Sequence, residues 1–165
     1  AIKPAAALTR SGTIGLLGTA ATVRQKYVDD LEREFAQGKR LIRHAAPELV
    51  AAAEAKLRGE MPDPAVFAAA AAGLRSQPGG EAIDTVVLAC THFPLVEDEL
   101  RAALGDGVQF VDGAQGIARR IAYLTQGEQF LRTSTDAAVV TGGLALAEPL
   151  APVFKSYGLE RLEAL

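Results

Sequence analysis

A single cysteine, two histidines and no tryptophan stand in this 165-residue sequence. One cysteine cannot form an internal disulfide, and with so few histidines the supply of ligands argues against a protein zinc site. Six phenylalanines and three tyrosines are all the aromatics there are, too few for stacking platforms that hold bases or sugars. Excess positive charge is missing as well. The formal net charge is -3, which argues against nucleic acid or an anionic membrane as partner, since either would want a basic face. Arg40, Arg43, Arg119 and Arg120 read as solvated charges. No long hydrophobic run occurs: the most apolar stretch, Pro64 to Leu74, has 11 residues, against the ~20 a bilayer-spanning helix needs. The opening AIKPAAALTR has no basic region followed by an apolar block, so no signal peptide is expected and a cytoplasmic location is. Ala1 stands where an initiating methionine would, which suits a chain that begins inside a longer polypeptide.

What is present is the make-up of a globular domain, 49% hydrophobic and 22% charged, with about two-thirds of its unfolded surface to bury. Alanine fills 32 positions, favouring helices while adding little bulk to a core. Short apolar runs alternate with helical patterns, which points to βα units and a parallel sheet. Thr13 to Gly18 reads as the first strand. A helix is expected over Thr19 to Gln37, with Val23, Tyr27, Leu31 and Phe35 on its inner face and Gly38 as its stop. Lys39 to Ala45 reads as a second strand, Pro47 to Arg58 and Pro64 to Ser76 as helices, and Gln77 to Gly80 as a loop. Thr85 to Ala89 is apolar throughout, as a strand covered on both faces must be. Pro94 suits the first turn of a helix carrying Val96, Leu100 and Leu104 and ending at Gly105. Gly107 to Val111 reads as a strand, and Asp112 as the cap of a helix whose inner face is Ile117, Ile121 and Leu124. Gly127 to Thr135 reads as a loop, Ala137 to Thr141 as a strand, and Leu146 to Tyr157 as a helix.

Ligands of open α/β sheets bind beyond the carboxyl ends of the strands. Cys90-Thr91-His92 falls there, after the most buried-looking strand and before a helical pattern. Free amides and a helix dipole would favour anions, both a thiolate and a substrate carboxylate. A cysteine so placed can ionise below its usual ~8.5 and act as a base. His92 could shuttle a proton, and Thr91 offers a hydroxyl and a backbone donor. The bland alternative is equally concrete: a lone cysteine after an apolar strand is often a small buried hydrophobe. On these residues alone, a Cys/His hydrolase is as arguable as any other thiol enzyme.

The string from Val86 to Leu95, VVLACTHFPL, resembles the second-cysteine motif of the glutamate racemases, within the aspartate/glutamate racemase family. The resemblance extends to Gly18-Thr19-Ala20-Ala21-Thr22-Val23, to Ala45-Ala46-Pro47-Glu48-Leu49-Val50 through Glu54, and to Val111-Asp112-Gly113-Ala114. Order and spacing hold to about Leu124 and more weakly beyond. Related aspartate racemases usually carry glutamate where His92 stands, so the histidine favours glutamate as substrate. The resemblance implies a reaction without metal or cofactor, in which two cysteines face opposite sides of the substrate α-carbon. Cys90 matches the second of them. Thr91 and His92 match residues that bind the substrate, His92 also assisting its cysteine. Glu54 matches a glutamate that supports the histidine, although beside Lys56 and Arg58 it also reads as a solvated helix charge. Thr19 and Thr22 belong to a matching strand-to-helix turn and are supporting candidates.

The departures are large. The D-S-G-x-G-G, P-Y-G and N-T-A-S strings of the family's first half are absent, there is no second cysteine, and Ala46 replaces a common non-catalytic one. The resemblance therefore implies an α/β protein with a Rossmann-like three-layer αβα domain and a mainly parallel sheet, half of a pseudo-symmetric two-domain racemase. Residues 1–112 would be the second domain, and 113–165 a segment returning to complete a first domain that is not in this chain. The expected partners are glutamate and that N-terminal domain. A homo-oligomer is a further expectation, because apolar residues Ile117, Ile121, Leu144 and Leu150 would be left uncovered. The parent reaction is conversion of L- to D-glutamate, linked by the resemblance to peptidoglycan supply. The rivals are another acidic amino-acid racemase of the family and a non-catalytic fragment that binds a ligand or partner only.

Overall fold

The computed structural model describes residues 1–131 and 133–165. A parallel sheet of four strands, in the order β2-β1-β3-β4, organises the first two-thirds of the chain. Its strands are β1 (Thr13–Gly18), β2 (Arg40–Ala45), β3 (Thr85–Leu88) and β4 (Gln109–Val111). β1 and β3 are the central pair and are buried at every position, as covering on two faces requires. On one face Leu17, Val86 and Leu88 meet α4 (Glu48–Leu57), α5 (Pro64–Arg75) and α6 (Glu97–Leu104). On the other, Ile14, Leu16 and Val87 meet α1 (Ile2–Leu8) and α3 (Lys26–Phe35). Alternation of side chains along each strand thus serves two separate cores. The result is the expected three-layer α/β arrangement around a parallel sheet.

Several elements differ from expectation, each for a local reason. The helix expected over 19–37 is broken: α2 (Ala20–Val23) ends, and α3 starts with Gln25 as its cap. The break rotates the inner face, so Val28 is fully buried while Tyr27 is 48% exposed. α1 was not expected, being short and carrying Pro4. A proline in the first helical turn forfeits no bond, and Ile2, Ala5 and Ala6 are buried by it. Arg43 is no solvated charge. It bonds Asp29 at 2.6 Å and Glu32 at 2.5 Å, fastening β2 to α3, while Arg40 donates to Pro78 O at 2.8 Å. Arg119 and Arg120 are exposed as expected, with Arg120 over the Tyr123 ring.

Asp84, just before β3, ties that strand to the turn ahead of β1. It accepts from Thr9 Oγ1 at 2.6 Å and from the amides of Arg10 and Ser11 at 2.8 and 2.7 Å. Thr85 Oγ1 donates to it as well. Burial pushes this carboxyl up, but the four donors outweigh burial and bring it from 3.8 to about 2. The ionised form is therefore favoured by folding, and its contribution, full above pH ~4, is lost as pH falls toward ~2. Asp84→Asn should cost about 1 kcal/mol at neutral pH after allowing for partial exposure. The same variant should show a flatter fall in urea midpoint between pH 4 and 2 than the parent; parallel curves would refute the assignment.

Beyond residue 112 come α7 (Ala114–Leu124), β5 (Ala137–Val140), α8 (Leu144–Ala147), α9 (Ala151–Ser156) and β6 (Arg161–Ala164). β5 and β6 form a separate two-stranded parallel sheet. The helix expected over 146–157 is split by Pro149 and Pro152, which cannot supply amides to a continuous helix. β6 went unread because RLEA offers one large apolar residue. The loop expected over Gly127–Thr135 includes position 132, which lies outside the described residues. The anticipated inner face of α7 is open to solvent, with Ile117 62%, Ile121 56% and Leu124 63% exposed. Leu144 is also exposed, whereas Leu150 is half-buried. Hydrogen exchange should find the amides of 113–165 opening on the order of 100-fold more readily than those of β1 and β3, because few apolar contacts hold them. Equal protection in a dilute monomer would refute this.

Candidate active site

β3 ends at Leu88, Ala89 N–H still donates to Leu17 O at 2.8 Å, and Cys90 follows. The chain then turns tightly: Phe93 N–H donates to Cys90 O and Leu95 N–H to His92 O, each at 3.1 Å. This is a 3₁₀ turn over Phe93–Val96, and α6 begins only at Glu97. The helix-start picture is corrected accordingly, since the first turn of α6 carries Glu97, Asp98 and Glu99 rather than an empty anion seat. What positions the turn is packing. Phe93 and Val96 are fully buried against α4 and α6, so Cys90 and His92 have little freedom.

Cys90 is a half-buried free thiol. Part of it packs on the core, and part faces an open cleft of about 490 Å³ that Thr91 also lines. The cleft is mainly apolar, with Ile2, Tyr27, Leu31 and Ile117 among its walls and Asp112 as its carboxylate. Asp112 Oδ1 meanwhile accepts from Ala114 N–H at 2.8 Å, but the cap residue of α7 is Gly113, one place after the Asp112 read from the sequence. The place of Asp112 in the cleft was not anticipated, although its position past the end of β4 repeats that of Cys90 past β3. Tyr27 was assigned to the core, and only the break before α3 turns it to the cleft.

His92 swings away from the cleft toward α4. Its Nδ1 is 3.9 Å from Cys90 Sγ, and its Nε2 is 3.4 Å from Glu54 Oε1. Three sequence candidates are therefore brought into one chain of groups: thiol, imidazole, carboxylate. Such a chain can take a proton from sulfur and balance the resulting ring charge. Glu54 is also bonded to Arg58 at 2.6 Å. That guanidinium is the main reason its carboxyl lies below the usual range, burial opposing and His92 adding to it. Thr19 and Thr22 lie past the end of β1. Thr19 Oγ1 accepts from Thr22 N–H at 3.3 Å, and the two hydroxyls are 3.1 Å apart, so they cap α2 and stay outside the Cys90 cleft.

The chain is 56% identical over its whole length to a glutamate racemase of Sphingopyxis alaskensis, of which it covers 62%. It is 43% identical over its whole length to one of Salmonella typhimurium, covering 58% of it. The crystal structure of Escherichia coli glutamate racemase, solved with L-glutamate and the activator UDP-MurNAc-Ala, superposes on all of this chain with a TM-score of 0.90 at 39% identity. Here too the match takes in 62% of the larger protein. The chain thus spans about three-fifths of the relatives it matches. The Asp/Glu/hydantoin racemase profile matches residues 1–121, and the chain belongs to that family.

Proposed function

We propose that this chain supplies the Cys90 half of a glutamate racemase and needs the N-terminal half of the larger protein to turn over. The observation that carries the proposal is the Cys90–His92–Glu54 series at the carboxyl end of β3, in a chain whose relatives are glutamate racemases. L-Glutamate bound to the Escherichia coli relative supports the substrate. In this reading residues 1–112 are one domain and 113–165 return to complete the other, consistent with the solvent-open face of α7. The enzyme would work in the cytoplasm, with D-glutamate going to cell-wall synthesis.

The chemistry balances with two sulfurs. Cys90 thiolate takes the α-proton and becomes a thiol, leaving a carbanion delocalised into the substrate carboxylate. A thiol on the opposite face then donates its proton to the α-carbon and becomes a thiolate. The reverse direction exchanges these roles. Thr91, which lines the cleft, would hold the substrate, whereas His92, turned from the cleft against the expectation that it binds substrate, would receive or return the Cys90 proton. Thr19 and Thr22 would act only by capping α2, outside the cleft. His92 cannot serve as the opposing acid, because two residues along one turn leave it on the same side as Cys90.

The test is L-glutamate in D₂O, followed by chiral chromatography and mass spectrometry. The chain alone should give no D-glutamate above background. The chain fused behind the portion of the Sphingopyxis alaskensis enzyme that it does not cover should give D-glutamate deuterated at the α-carbon. A folded fusion that binds glutamate without exchanging its α-proton would instead favour a binding fragment.

A further inference from the structure

Glu54 offers two oxygens to two different partners. Oε2 accepts from Arg58 at 2.6 Å, while Oε1 lies 3.4 Å from His92 Nε2. Arg58 is the C-cap residue of α4, and its own N–H bonds back to Glu54 O. Acid before base at i and i+4 is the favoured order on a helix, and a cation at a helix C-terminus is held by the dipole. Lys56 on the same helix reaches Glu99 of α6 at 2.8 Å, so α4 is tied to the element that follows His92.

We propose that Arg58 is a positioning residue for the Cys90 centre: it holds Glu54 Oε2 so that Oε1 stays turned to His92 Nε2. This rests on the reading of Cys90 and His92 given above. An imidazole that presents Nε2–H to a carboxylate carries its lone pair on Nδ1, the nitrogen beside the Cys90 sulfur. The thiol proton then moves to Nδ1, and the positive ring rests against Glu54. The Glu54 side chain is 40% exposed, and without an anchor an exposed carboxylate is drawn into water. Arg58 also has an opposite effect, since its cation disfavours a positive ring nearby. The sign of the experiment separates the two. The titratable groups that face the ring are Cys90 on its own turn and Glu54 on α4, with Arg58 behind Glu54 and the Lys56–Glu99 pair joining α4 to α6.

The test uses this chain and does not require turnover: the rate at which iodoacetamide alkylates Cys90, followed from pH 5 to 9. Arg58→Ala and Arg58→Gln should slow alkylation at pH 7 by about threefold, the scale of an exposed pair, with the urea midpoint little changed. Arg58→Lys should recover most of the rate, which a purely structural role would not predict. ¹⁵N spectra should show the His92 tautomer moving from Nε2–H toward a mixture in Arg58→Ala. An unchanged or faster rate in Arg58→Ala, with Glu54→Gln and His92→Asn still slow, overturns the role of Arg58 and leaves the Cys90–His92 reading intact. If Glu54→Gln and His92→Asn are also without effect, that reading fails, and the proposal fails with it.

Discussion

Cys90→Ser in the fused two-part protein should lose on the order of 10³-fold or more in turnover in both directions, with glutamate binding little changed. A serine hydroxyl is far too weak an acid to be ionised near neutral pH, so neither removal nor return of the α-proton at that face survives. The cleft geometry leaves no substitute. Its other ionisable side chains are Tyr27 and Asp112, and Asp112 Oδ1 is engaged with Ala114 N–H at 2.8 Å. His92→Asn should be milder and directional, slowing by on the order of tenfold the direction in which Cys90 acts first. Measuring both variants from L- and from D-glutamate separates the two roles. Equal rates for Cys90→Ser and the parent would remove Cys90 from the mechanism.

Gly80→Ala should destabilise the chain by about 3 kcal/mol, the upper range for forcing a methyl group into a packed site. A Cβ at Gly80 would lie 2.3 Å from Leu74 O and 2.6 Å from Arg75 O. Those are backbone atoms at the end of α5, and they cannot swing aside as a side chain could. The turn is also fastened from above: Arg75 donates to the carbonyls of Gly80, Glu81 and Ile83 and, on α6, to that of Leu104. Because this turn leads directly into β3, the loss should reach Cys90, raising its alkylation rate at a urea concentration the parent tolerates. Gly107→Ala is the control, with open space around a Cβ there and an expected change within ~0.5 kcal/mol. A midpoint for Gly80→Ala matching that control would mean that the turn yields at little cost.

Residue order alone placed Cys90, Thr91 and His92 after an apolar strand, and the roles assigned to them came from the family resemblance. The run Thr85 to Ala89 read as a doubly covered strand, because consecutive apolar or β-branched residues leave no wet face, and the strand is found over Thr85–Leu88. Cys90-Thr91-His92 directly after it had to emerge at the ligand-binding edge of a parallel sheet. The Gln77–Gly80 segment was legible as a loop, but the need for glycine at position 80 was not. Its cause is the approach of α5, an element that the loop's own residues do not describe.

What only the tertiary structure decided are meetings between distant segments. Glu54 and His92 are 38 positions apart (92 minus 54); the family resemblance paired them, but nothing in the spacing of either shows that α4 packs on the turn after Cys90. Arg43 could be read as solvated until α3 brought Asp29 and Glu32 to it. Tyr27 exchanged the core for the cleft because two helical turns after β1 were not collinear. Periodicity reports that a face is apolar, but not which element covers it. Ile117 and Ile121 make the point from the other side, since their helical pattern was correct and their face is open to solvent. Local sequence set the central strands and put Cys90 at the end of one of them. Which side chains surround that thiol follows from the strand order β2-β1-β3-β4 and the packing of α4, because contact energies between elements depend on the whole arrangement at once.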